Sequence, residues 1–71
     1  MIDYGDKFSS RYFGKVVVIG YNHPFFTVKI VEQGENNWAT VGGYVQFWTD
    51  DLSWVNDPNI YDRQKLMRGW D

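Results

Sequence analysis

Apolar and polar residues alternate with a period of two in several stretches, the pattern of strands that turn one side chain inward and the next outward. The clearest runs from Phe25 to Glu32, with Phe26, Val28 and Ile30 on one face and Thr27 and Lys29 on the other. Tyr44 to Trp48 repeats it: Val45 and Phe47 share one side, and Tyr44, Gln46 and Trp48 the other. Lys15 to Gly20 differs, because Val16 and Val18 face one way while Val17 and Ile19 face the opposite way. Stiff β-branched residues bounded by Gly14 and Gly20, in a run too short for a helix, make this a strand. Being apolar on both sides, it belongs at the centre of a barrel or sandwich, or with one face against a partner. Tyr4 to Phe8 reads as a short first strand or its lead-in, and Trp38 to Val41 as a further strand.

Turn chemistry separates these runs. Ser9-Ser10-Arg11 forms a polar connection, Tyr21-Asn22-His23-Pro24 closes a hairpin, and Gln33 to Asn37 supplies residues that tolerate positive φ. Gly42-Gly43 marks a bend or bulge, and Thr49 to Trp54 one helical turn or a tight loop. Beyond these, Asp57 can accept the orphan amides of a helix start, Pro58 suits the first helical position and Gly69 the left-handed residue after the last. Asp62 can pair with Lys65, Lys65 and Arg68 complement the helix dipole, and Ile60, Leu66, Met67 and Trp70 form an apolar stripe. The pattern therefore predicts a mainly β domain of four or five antiparallel strands with a C-terminal α-helix over about 58–68.

Composition narrows the class. A chain of 71 residues makes a single domain near the lower limit for one core, and with no cysteine and one histidine it has neither a disulfide nor a metal to staple it. Stability has to come from packing or from an oligomer; 44% apolar and 20% aromatic residues suit that demand. The apolar run Val16 to Ile19 is far too short to span a bilayer, and Met1-Ile2-Asp3-Tyr4 lacks the basic start of a secretory signal. Together with the absence of cysteine, these features give the expectation of a soluble cytoplasmic protein. The net charge of −2 hides an asymmetry: residues 1–31 are basic overall, residues 32–62 hold six carboxylates and no lysine or arginine, and the tail is basic again.

The segments Gly5-Asp6-Lys7-Phe8, Gly14-Lys15-Val16-Val17-Val18, Phe26 to Glu32, and Gly43-Tyr44-Val45-Gln46-Phe47 followed by Asp51-Leu52 resemble the SH3-like small barrels, including compact ones encoded by bacteriophages. The resemblance covers about residues 4–55. It implies a partly open barrel with the helix packed across it or against a second copy. It also suggests a phage-encoded inhibitor or modulator that acts on a host protein in the host cell cytoplasm. The acidic, aromatic-rich first loop with which peptide-binding SH3 domains hold proline-rich ligands is missing, so that activity does not carry over.

Catalytic chemistry finds little support. His23 precedes Pro24 in a turn and reads as a solvated loop residue, Asp50 and Asp51 look like residues of a helix start, and Gly42-Gly43 is too little for a phosphate loop. The expectation is a non-enzyme without cofactor or metal. Protein binding fits best, because a core this small cannot enclose four tryptophans, five tyrosines and five phenylalanines, and interfaces are rich in such rings. The expected anchors are Tyr44, Trp48 and Trp54 with Trp38, and Asp50, Asp51 and Glu35 form an acidic rim suited to a basic partner. Single-stranded nucleic acid is the alternative, through Lys7, Arg11, Lys15 and Lys29 with the rings of Tyr12, Phe13, Phe25, Tyr44 and Trp48, though a pI near 5.1 opposes it. A structural homo-oligomer or virion component is the third reading.

Overall fold

The computed structural model describes residues 2–70. Five strands form one antiparallel sheet: β1 (Lys7–Ser10), β2 (Gly14–Asn22), β3 (Phe25–Gln33), β4 (Tyr44–Trp48) and β5 (Met67–Arg68). Their order across the sheet is β4-β3-β2-β1-β5, so the first four make a meander and the chain end returns to pair beside the beginning.

The two long strands are joined by His23 and Pro24 alone, and the hairpin runs from Asn22↔Phe25 to Gly14↔Gln33. Two register shifts interrupt it. Ile19 and Gly20 together oppose Thr27, and Val31 is the extra residue between the Val16↔Ile30 and Lys15↔Glu32 pairs. A bulged residue leaves the ladder, and both Ile19 and Val31 are exposed. The second apolar face of β2 is therefore not covered as a central barrel strand would be.

The inner face carries the alternation read from the sequence. Phe26, Val28 and Ile30 of β3, Val45 and Phe47 of β4, Val16 and Val18 of β2 and Phe8 of β1 are buried, joined by Phe13, Ala39 and Leu66 from outside the strands. Four phenylalanines, Phe8, Phe13, Phe26 and Phe47, are fully enclosed. Each contributes roughly 1.5–3 kcal/mol by leaving water.

Three expectations change. Strand β1 begins at Lys7, so Ser9 and Ser10 belong to it, and the turn falls on residues 11–13. No strand forms over 38–41, because the Asn36 side chain takes the Trp38 and Ala39 amides and bends the chain instead. Among the described residues there is no helix, and the predicted C-terminal helix over 58–68 is replaced by turns and an extended segment. The cause is local competition for backbone amides. The Asp57 carboxylate accepts from the Asn59 amide at 2.9 Å and from the Gln64 amide at 2.7 Å, and the Asn59 side chain accepts from Tyr61 and Asp62. Asp57 does satisfy orphan amides, but those of a loop that it closes with Gln64, seven positions on.

That loop lets residues 64–68 cross the open side of the sheet. The Trp48 amide donates to Ser53 and the Val55 amide to Gln46, laying residues 53–55 along β4. The Trp54 amide donates to Gln64, the Leu66 amide to Leu52 and the Gly69 amide to Lys7. Short bridges Phe47↔Trp54 and Ser53↔Lys65 thus lace the gap between β4 and β5. Leu66 is buried as its place in the predicted stripe required, whereas Ile60 and Met67 are exposed. No helix of the described residues is long and apolar enough to cross a membrane.

Candidate functional site

Two turns set back to back build the site. The Phe13 amide donates to the Ser10 hydroxyl at 2.8 Å, turning the chain after β1, and Gly14 leaves the turn at φ +89°. Across from it, the Gly34 amide donates to Phe13 O, the Glu35 amide to Arg11 O and the Asn36 amide to Tyr12 O. Gly14 and Gly34 meet backbone to backbone: a Cβ on Gly14 would overlap the Glu32 carbonyl, and a Cβ on Gly34 the Gly14 amide and the Tyr12 carbonyl. Glycine is required at both places, and the contact fixes where Tyr12 and Phe13 stand.

Asn36, buried to 6% exposure, connects this frame to Trp38. Its Nδ2 donates to the Tyr12 carbonyl at 2.5 Å, while its Oδ1 accepts the Trp38 amide at 3.2 Å and the Ala39 amide at 2.6 Å. The Trp38 indole Nε1 then donates to the Tyr12 hydroxyl at 2.9 Å. Trp54 arrives from the segment beside β4 and stacks on Trp38, ring centroids 5.4 Å apart and planes inclined at 26°. Phe13 meets both rings edge-on from within, at 5.9 and 5.1 Å.

Beside this pair lies a recess of about 320 Å³ lined by Trp38, Tyr44, Trp54, Thr27, Gln46 and Asn56, with Val45 at its base. Trp38 is 53% and Tyr44 67% exposed, so the aromatic faces are available to a ligand. A hydroxyl and two carboxamides supply neutral donors and acceptors. Such a site can take an apolar or aromatic group and orient it by hydrogen bonds. Among the described residues that line it there is no carboxylate, imidazole or thiol. Among the described residues no group of three or more His, Cys, Asp or Glu could hold a metal ion.

Of the anchors expected from sequence, Trp38, Tyr44 and Trp54 come together here. Trp48 sits at the far end of β4, half-buried against Phe25 at 5.9 Å. The expected acidic rim does not line the recess among the described residues. Glu35 pairs with Arg11 at 3.6 Å, and Asp50 is exposed in the turn after β4. Asp51 accepts the Ser53 hydroxyl at 2.6 Å and the Ser53 amide at 3.0 Å, bonds that hold its carboxyl below the ordinary 3.8. His23 is exposed in the β2–β3 turn.

The alternative set divides as well. Lys7 lies in register with Val17, Val17 with Lys29, and Lys29 with Tyr44, which puts Lys7, Lys29 and Tyr44 in one row on the outer face. Lys15, also outward, pairs with Glu32 at 3.3 Å. The ammonium groups of Lys7 and Lys15 lie over the Trp70 ring, at 4.8 and 5.6 Å, and the Trp70 indole donates to Val16 O. Sequence reasoning missed Asn36 because nothing in a turn-rich composition says which asparagine will be buried, and Asn56, which is exposed, because nothing local places it beside the recess. Thr27 and Gln46, by contrast, were legible as members of the outer face, opposite Phe26 and Val45. No protein-family model, curated protein or solved structure matches the chain.

Proposed function

We propose that this chain is a non-catalytic protein-binding module that holds a segment of another protein in the recess between Trp38, Tyr44 and Trp54. One observation carries the reading. An exposed indole and an exposed phenol, Trp38 and Tyr44, stand with the half-buried Trp54 around a recess of about 320 Å³, although the same small domain encloses four phenylalanines completely. Leaving such rings in water costs stability, and they are the side chains that dominate binding energy at interfaces. Both indoles are also held in place, by the Asn36 and Tyr12 bonds and by the Phe47 bridge, so little ordering entropy is lost on binding.

The architecture we infer is a partly open SH3-like barrel. Five antiparallel strands in one sheet and the laced gap between β4 and β5 support it. A small phage-encoded inhibitor or modulator of a host protein is the biological setting in keeping with that resemblance.

The test is selection of displayed random 12-residue peptides on the whole protein, followed by rebinding to Tyr44→Ala. Tyr44 is largely exposed, so its truncation should leave stability within about 0.5 kcal/mol of the parent, checked by thermal melting. Clones that bind the parent and lose at least about tenfold on Tyr44→Ala are expected. Failure to recover any Tyr44-dependent clone refutes the proposal.

A further inference from the structure

From the charges around the recess we infer that the segment it accepts is acidic, and that it leaves the recess over Tyr44 and runs along the row Lys29, Val17, Lys7. The inference rests on the binding reading above and adds the sign and path of the partner. It reverses the sequence expectation of a basic partner steered by Asp50 and Asp51.

No carboxylate lines the recess among the described residues; its polar members, Thr27, Gln46 and Asn56, are neutral. The nearest charge in register is Lys29, direct cross-strand partner of Tyr44. Lys29 is exposed and makes no ion pair among the described residues. Val17 carries the row on to Lys7, whose ammonium rests on the Trp70 ring beside that of Lys15. Among the described residues, Glu32 beside the row is paired with Lys15, and Asp6, which precedes Lys7, with Arg68 at 3.5 Å. Of the acids expected to steer, Glu35 pairs with Arg11, while Asp50 and Asp51 keep their charge in the turn after β4 and do not line the recess.

With strands about 4.8 Å apart, the row from Tyr44 to Lys7 spans roughly 14 Å, the length of four or five extended residues. A short peptide with one apolar or aromatic anchor and two or three carboxylates on one side would match it. Surface lysines attract over a Debye length, so they set the sign of the partner and the rate of encounter more than the depth of binding.

The experiment reads the same display selection differently. Tyr44-dependent clones should carry more Asp and Glu than Lys and Arg. As synthetic peptides they should bind Lys29→Glu at least about fivefold more weakly than the parent at low salt, the loss shrinking as salt rises. Lys29→Gln should lie between. Tyr44-dependent clones that are neutral or basic, or that ignore Lys29→Glu, overturn the acidic-segment inference and leave the recess as a binding site. A fluorescent dT15 oligonucleotide that binds the parent, loses affinity on Tyr44→Ala and competes with the clones also overturns it, in favour of nucleic acid. Absence of any Tyr44-dependent clone removes the recess reading itself, a result distinguishable from both.

Discussion

Replacing Asn36 by alanine tests whether the aromatic recess is held by a buried polar side chain or by ring packing alone. The substitution removes three hydrogen bonds, to Tyr12 O, the Trp38 amide and the Ala39 amide. Tyr12 O keeps the Asn36 amide as a donor, and Trp38 is exposed enough for water to replace part of its loss. Ala39 is 6% exposed, so its amide is stranded, at a cost of about 1–3 kcal/mol; the other two bonds add about 0.5–1 kcal/mol each. The expected loss is about 2–5 kcal/mol. For a chain of 71 residues, whose whole stability is on the order of 4–10 kcal/mol, that is a large share and lowers the melting temperature by on the order of 15 °C. Urea unfolding followed by tryptophan fluorescence should show a lower midpoint with an unchanged slope, since the surface exposed on unfolding is the same. Near-ultraviolet circular dichroism should show weakening of the Trp38–Trp54 signal in the folded baseline. Asn36→Asp keeps the Oδ1 acceptor of both amides but sets a buried carboxylate oxygen against the Tyr12 carbonyl, so at neutral pH it should be no more stable than the alanine variant. A stability change under about 0.5 kcal/mol with the indole signal intact would refute the reasoning.

Two further predictions concern the backbone and pH. Gly14→Ala places a Cβ on the Glu32 carbonyl at φ +89° with backbone on both sides, so a loss above about 3 kcal/mol and little folded protein are expected. Gly5→Ala, at φ +86° with open space around it, should cost only about 1–2 kcal/mol; soluble yield and far-ultraviolet dichroism compare them, and equal outcomes refute the packing account. For Asp51, folding favours the carboxylate, so its contribution is full above the ordinary 3.8 and is lost as pH falls through the lowered value. Asp51→Asn should therefore flatten the fall of melting temperature in acid below 3.8; a slope equal to the parent's counts against the Ser53 bonds as its cause.

What the sequence by itself determined is the set of faces. A period of two is a local property, and it assigned Phe26, Val28, Ile30, Val45 and Phe47 to the core and Thr27, Lys29, Tyr44 and Gln46 to the other side. The count of rings against the size of the core also indicated that some would stay in water, and Trp38 and Tyr44 do. Tertiary structure decided matters of long-range pairing and of which polar side chain captures which amide. Asp57 and Pro58 are as good a helix start as a chain can offer, yet Asp57 satisfies the Gln64 amide because residues 64–66 are drawn across to 52–54 and β5 to β1. Asn36 and Asn37 are equivalent in any turn signature, and only the contact between the Gly14 and Gly34 turns buries one of them and so sets Trp38. The sign of the surface beside the recess was likewise hidden in one dimension. The acidic stretch and the basic one are separate along the chain, but register places Lys29 next to Tyr44 and the fold pairs Glu35 with Arg11, because charge at a site depends on spatial neighbours and not on sequence neighbours.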